Sequence, residues 1–167
     1  MASTKLNGTP IKTSGALPRI GCKAKDFVLT GTNLADSTLK DFHGKKILLN
    51  IYPSIDTGVC AMSVRKFNAE AAKVKNVVIL GVSRDLPFAL GRFCGAEGID
   101  KVLTLSEMRN RDFGANYGLE IVDGPMTGLL ARAVIIIDEN GKVVYRELVD
   151  DIVHEPDYKA ALKALKG

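Results

Sequence analysis

Three cysteines, Cys22, Cys60 and Cys94, are the residues of this chain best suited to covalent chemistry. Cys60 closes the run Pro53-Ser54-Ile55-Asp56-Thr57-Gly58-Val59-Cys60, between an apolar strand-like stretch and an amphipathic helix-like one. A thiol in the first turn of a helix feels the partial positive charge of unpaired backbone N–H groups. Such a position favours the thiolate, which is the nucleophile. A free cysteine with a pKa of about 8.5 is only a few per cent ionised at neutral pH, so the placement bears directly on reactivity. The residues around Cys60 therefore point to sulfur chemistry.

Other chemistries find less support. No Cys-x-x-Cys pair occurs, and the two histidines, His43 and His154, stand in unrelated contexts, so there is no zinc pattern. Neither histidine is needed as a general base if Cys60 ionises by itself. A low, odd number of widely spaced cysteines is not a secreted disulfide scaffold. It fits a reducing, cytoplasmic setting, where a disulfide is transient and catalytic. The polar start, Ser3-Thr4-Lys5, shows no secretory signal, and no apolar run approaches the ~18 residues of a membrane span. The net charge of +4 comes from 23 basic and 19 acidic residues interspersed along the chain. The basic clusters are only pairs, Lys45-Lys46 and Arg65-Lys66, which argues against a nucleic-acid surface.

Positioning Cys60 requires a frame, and 167 residues with 46% hydrophobic content suffice for one globular domain. The first eighteen residues predict a hairpin: Lys5-Leu6 and Ile11-Lys12 flank Asn7-Gly8, the strongest two-residue turn signal, with Pro10 on an edge strand. Phe27–Thr30 reads as a short strand and Leu39–Phe42 as a helical turn. Ile47–Tyr52 reads as a strand buried on both faces. Cys60, Val64, Phe67, Ala71 and Val74 recur at spacings of one helical face, with Thr57 as N-cap and Cys60 at N3. Val77–Val82 is a second buried strand. Pro87 suits the first position of a helix ending at Phe93-Cys94, with Gly95 as its C-cap.

Val102–Leu105 forms a third such strand, and Asp112–Tyr117 a short helix ended by Gly118. Leu129–Ile137 is the longest β-type run, turning through Glu139-Asn140-Gly141 into Lys142–Tyr145. A last helix begins near Pro156 and buries Tyr158, Ala161, Leu162 and Leu165. The expected class is α/β, a mixed central sheet with helices on both faces.

The pattern Pro53-x-x-x-Thr57-x-x-Cys60 resembles the active-site signature of the peroxiredoxins, which are thioredoxin-fold peroxidases. The stretches 53–68 (PSIDTGVCAMSVRKFN), 85–98 (DLPFALGRFCGAEG) and 123–141 (DGPMTGLLARAVIIIDENG), with the N-terminal hairpin, resemble the bacterial thiol peroxidase subfamily. These are atypical two-cysteine peroxiredoxins, and the resemblance covers nearly the whole chain. It implies a single thioredoxin-fold peroxidase domain over residues 1–167, with residues 1–18 as a hairpin extension. It also implies reduction of hydrogen peroxide and organic hydroperoxides, in antioxidant defence, with no metal, haem or flavin. Thioredoxin as reductant and a homodimer are further implications.

By the same resemblance Cys60 is the peroxidatic cysteine, which becomes a sulfenic acid, and Cys94 the resolving cysteine, which closes an intramolecular disulfide with it. Arg132 matches the arginine that stabilises the thiolate. From pattern alone, the favoured reading of Arg132, which points the same way as Leu130 and Val134, is a strand-end arginine paired with a carboxylate, and the resemblance reverses this. Likewise Cys94 alone reads as a buried inert cysteine. A Thr57 hydroxyl one turn before the sulfur is suited to hold the thiolate and orient peroxide. Pro53 stiffens the approach to the loop, and the N–H groups of Val59 and Cys60 are donors for charge on the departing oxygen. Because the two thiols lie on separate helix ends, one or both ends are expected to unwind for the bond to form.

Arg65 is expected to serve structure or a partner surface. Cys22 matches no catalytic position of the family. Lys25 replaces the usual proline of its turn, and Met62 replaces a smaller residue, with an effect on peroxide size preference if it reaches the pocket.

Overall fold

The computed structural model describes residues 2–71 and 73–167, apart from the Ala71 side chain. Met1 of the predicted hairpin extension and the predicted packing of Ala71 lie outside the described residues. The N-terminal hairpin forms as the sequence predicts. Strand β1 (Ser3–Leu6) pairs antiparallel with β2 (Thr9–Lys12), and Lys5 faces Pro10. Asn7 and Gly8 both take positive φ, 51° and 82°, the two-residue turn that matches strand twist.

A seven-stranded sheet makes up the rest of the framework, in the order β4-β3-β7-β6-β5-β8-β9. Its strands are β3 (Val28–Gly31), β4 (Asp36–Thr38), β5 (Lys46–Ile51), β6 (Val77–Ser83), β7 (Val102–Ser106), β8 (Ala133–Ile137) and β9 (Val143–Leu148). The parallel neighbours are β5–β6 and β6–β7, whereas β8 runs antiparallel to β5, so the sheet is mixed. The short β4 has no apolar signal and escapes the sequence reading.

Four helices, α1 (Gly58–Ala71), α2 (Pro87–Glu97), α3 (Asp112–Asn116) and α4 (Tyr158–Lys166), and a 3-10 turn at Leu39–Phe42 cover the sheet. The period of two along β5 divides the core. Ile47, Leu49 and Ile51 join Phe42, Phe113 and Tyr117 on one face. Leu48 and Tyr52 join Cys60, Val64 and Phe67 of α1, Leu90 of α2, and Ala161 and Leu165 of α4 on the other.

Two predicted boundaries move. Helix α2 does not stop at Gly95. It continues to Glu97 and is capped by Gly98 at φ 64°, whose N–H donates to the Cys94 carbonyl. Either glycine suits a C-cap, and the left-handed turn falls where Ile99 N–H also reaches the Cys94 carbonyl, at 2.9 Å. Cys94 therefore lies within the helix. Strand β8 begins only at Ala133, because Leu130 and Ala131 pair with the 119–120 segment instead of β5. Arg132 thus precedes the strand.

Candidate active site

Cys60 is the third residue of α1, the position expected from Thr57 as N-cap, and is fully buried. The Thr57 carbonyl accepts from Ala61 N–H at 3.0 Å, as an N-cap carbonyl does. Its side chain behaves differently from the expectation. The hydroxyl donates back to the Ser54 carbonyl at 3.2 Å, closing a turn, instead of accepting from the Cys60 N–H. Asp56, Thr57 and Gly58 are exposed, so a solvent-facing loop leads directly into the buried Cys60. Pro53 is buried at the start of that loop.

Arg132 meets the sulfur. Its Nη2 lies 3.2 Å from Cys60 Sγ, and its Nε donates to the Ile152 carbonyl at 2.8 Å. The residue is 2% exposed, and its third nitrogen, Nη1, has no partner among the described residues. The carboxylate pairing left open by the strand pattern does not occur among the described residues. Arg84 provides the contrast, since this arginine, whose side chain is also largely covered, pairs with Glu107 at 2.9 Å and Glu120 at 3.0 Å. A buried guanidinium is costly unless an anion or well-placed acceptors meet it.

The backbone around Cys60 is held at two further points, neither visible in the sequence. Asn50, on the same face of β5 as Leu48 and Tyr52, donates to Ser63 Oγ at 3.1 Å. Ser63 in turn donates to the Cys60 carbonyl at 2.8 Å. Upstream, the Asp85 carboxylate accepts from Ser54 Oγ at 2.8 Å, Ile55 N–H at 2.7 Å and Ser83 Oγ at 2.6 Å. Asp85 stands between β6 and α2, so the loop leading to Cys60 is tied to the helix that carries Cys94.

Cys94 is half-buried and unbridged, and its Sγ lies 3.5 Å from Thr104 Oγ1. Tyr52 is the buried tyrosine near both thiols. Its hydroxyl is buried without a hydrogen-bond partner among the described residues. Burial pushes its pKa well above the tyrosine range, and Asp85, Cys60 and Cys94 add to the rise. A Cβ on Gly81 would meet this hydroxyl at 2.9 Å, so the glycine makes room for the ring.

The remaining predicted residues stand apart from the sulfur. Arg65 pairs with Glu97 on the surface at 2.9 Å and lies over Phe93, in keeping with a structural role. Met62 is 43% exposed, away from the face on which Cys60, Val64 and Phe67 pack. Cys22 is exposed, His43 is exposed, and His154 faces Asp150 at 3.0 Å on the surface. A cavity of about 380 Å³, lined by Lys23, Phe42, Ile47 and Ile137 among others, opens at the opposite end of β5 from Cys60. No group of described residues is arranged to hold a metal ion, and no described helix is long and apolar enough to cross a membrane.

A mixed thioredoxin-like sheet with a buried helix-start cysteine facing an arginine is the arrangement of a thiol-based redox enzyme. Residues 19–162 match the Redoxin family model, and the chain belongs to that family. It is 54% identical over 165 residues to a thiol peroxidase of Corynebacterium glutamicum, covering 99% of both chains. The fold superposes on a peroxiredoxin-like protein from Aquifex aeolicus with TM-score 0.94 and 36% identity, covering 99% of this chain and 96% of that one. A thiol peroxidase from Chromobacterium violaceum shares the fold with TM-score 0.90 at 23% identity, over 98% of this chain and 95% of that one. Family and relative together support thiol peroxidase activity.

Proposed function

We propose that the chain reduces hydrogen peroxide and organic hydroperoxides through Cys60 and Cys94. The observation that carries this reading is the buried contact between Arg132 Nη2 and Cys60 Sγ at 3.2 Å. The Cys60 thiolate attacks one peroxide oxygen, the O–O bond breaks, and water or an alcohol leaves after taking up a proton. Cys60 is then a sulfenic acid. The unpartnered Arg132 Nη1 and the free N–H groups of the first helical turn are donors for the charge developing on the departing oxygen. Thr57 orients the peroxide at the mouth of the site, and buried Pro53 shields the sulfur.

In the second half of the cycle Cys94 attacks the sulfenic sulfur, water leaves, and a Cys60–Cys94 disulfide forms. This step requires the first turn of α1 or the end of α2 to unwind. A dithiol partner then reduces the disulfide, with thioredoxin as that partner and a homodimer suggested by the family resemblance, and a cytoplasmic location suggested by the few, widely spaced cysteines. Counting free thiols before and after one equivalent of peroxide tests the scheme. Two thiols lost per chain without a covalent dimer support it, and none lost contradicts it. Cys60→Ser abolishes turnover, whereas Cys94→Ser completes one round and then stalls or over-oxidises. Normal turnover of Cys94→Ser with thioredoxin overturns the resolving role.

A further inference from the structure

Among the described residues the N-terminal hairpin pairs with no strand of the large sheet, and a two-stranded hairpin is marginal on its own. Much of its anchorage converges on one short segment, 149–153. Thr4 Oγ1 donates to the Val149 carbonyl at 2.6 Å, inside the fold. Ile152 N–H donates to the Lys5 carbonyl at 2.8 Å. The buried Asp151 carboxylate accepts the two N–H groups of the hairpin turn, Asn7 at 3.1 Å and Gly8 at 2.8 Å, and also Val153 N–H at 3.2 Å.

The same segment holds Arg132 from the other side. Ile152 offers its carbonyl to Arg132 Nε at 2.8 Å, and Val149 N–H donates to the Arg132 carbonyl at 3.0 Å. Ile152 also packs with Ile11 of the hairpin and with Ala131. A guanidinium is planar, so fixing Nε on one carbonyl fixes the plane in which Nη2 meets the sulfur. Without that carbonyl, the side chain is free to rotate away from Cys60.

We infer that the hairpin belongs to the catalytic apparatus, with Asp151 as a positioning residue that holds the Ile152 carbonyl, and through it Arg132, against Cys60. The inference rests on the reading of Cys60 as the nucleophile. Its energetic logic is that of preorganisation: displacements of about 1 Å in a reacting group cost up to about 10²-fold in rate. Electrostatics alone predict the reverse of the expected effect. Asp151 is an anion, and removing it relieves repulsion of a developing thiolate. Among the described residues, Arg132, Tyr52 just after β5 and Tyr158 of α4 also bear on the sulfur.

The test compares the second-order rate of Cys60 oxidation by hydrogen peroxide in wild type, Asp151→Ala, Asp151→Asn and Thr4→Val, each with its thermal midpoint. Asp151→Ala is expected to slow oxidation about tenfold in protein that is folded throughout the assay. Asp151→Asn, which keeps an acceptor for the turn, restores part of the loss, and Thr4→Val gives a smaller loss in the same direction. If the midpoints fall while all rates match wild type, the hairpin is only structural and the inference is overturned. Should Asp151→Ala not fold, Thr4→Val and Asp151→Asn decide on the same criterion. Cys60→Ser is assayed alongside: peroxidase turnover there overturns the underlying reading itself, whatever the Asp151 variants do.

Discussion

Arg132 Nη2 and Cys60 Sγ lie 3.2 Å apart inside the fold, and the other hydrogen bond of the guanidinium goes to a neutral carbonyl. Among the described residues no carboxylate meets this arginine, so the sulfur is the group it faces. In the proposed cycle it stabilises the thiolate and the transition state in which charge moves to oxygen. Arg132→Lys keeps the charge but loses the fork that reaches both Ile152 and Cys60. A lost charge-assisted hydrogen bond of about 1.5–3 kcal/mol corresponds to a fall of about ten- to a hundredfold in the rate of peroxide oxidation. Stopped-flow kinetics check it, and an unchanged rate contradicts the role.

Asp85 tests the hold on the loop that leads to Cys60. Asp85→Ala leaves Ser54 Oγ and Ile55 N–H without their acceptor. The expected cost is about 2 kcal/mol, a drop of several degrees in thermal midpoint for a domain of this size. Scanning calorimetry on the reduced protein reads it directly.

Tyr52→Phe should run the other way. The hydroxyl is buried with no well-formed hydrogen bond among the described residues, and Ser83, the hydroxyl nearest to acting as its partner, is already committed to Asp85, so removing the Tyr52 hydroxyl relieves a desolvation cost of about 1 kcal/mol. The expected midpoint is equal to or above that of wild type. A clear destabilisation would mean that the hydroxyl is hydrogen-bonded in solution.

The hairpin anchorage has a pH signature. Three backbone N–H groups, from Gly8 first and then Val153 and Asn7, hold the Asp151 carboxyl below its usual range, and His154 adds to this. A depressed carboxyl contributes stability that is present in full above the unfolded value of 3.8 and is lost as pH falls through the folded one. Hydrogen exchange at Asn7 and Gly8 should therefore accelerate as the solution is acidified below about pH 4. Exchange that does not change with acidification, after correction for intrinsic rates, contradicts the anchorage.

Much of the frame was legible in the sequence for local reasons. The apolar runs at Ile47–Tyr52 and Val77–Val82 fill the centre of the sheet, and Asn7-Gly8 forms the predicted turn. The spacing of Cys60, Val64 and Phe67 marks the buried face of α1. The end of α2 was misplaced because Gly95 and Gly98 both suit a cap, and tertiary contacts choose between them. The start of β8 was misplaced because apolar residues at 129–131 read as strand wherever their partners lie. Asp85, Asn50, Ser63 and the Ile152 carbonyl were not legible as parts of the site. Each acts through a partner brought near by the fold, and a carbonyl leaves no mark in residue type. Arg132 was ambiguous for the same reason until the family resemblance singled it out.

Peptide mapping by mass spectrometry of protein treated with one equivalent of hydrogen peroxide tests the central claim most directly. The expected result is loss of two hydrogen atoms per chain, a single linked peptide pair containing Cys60 and Cys94, and an unmodified Cys22. Oxidation confined to Cys22, or a Cys60 left unmodified while peroxide is consumed, would contradict it.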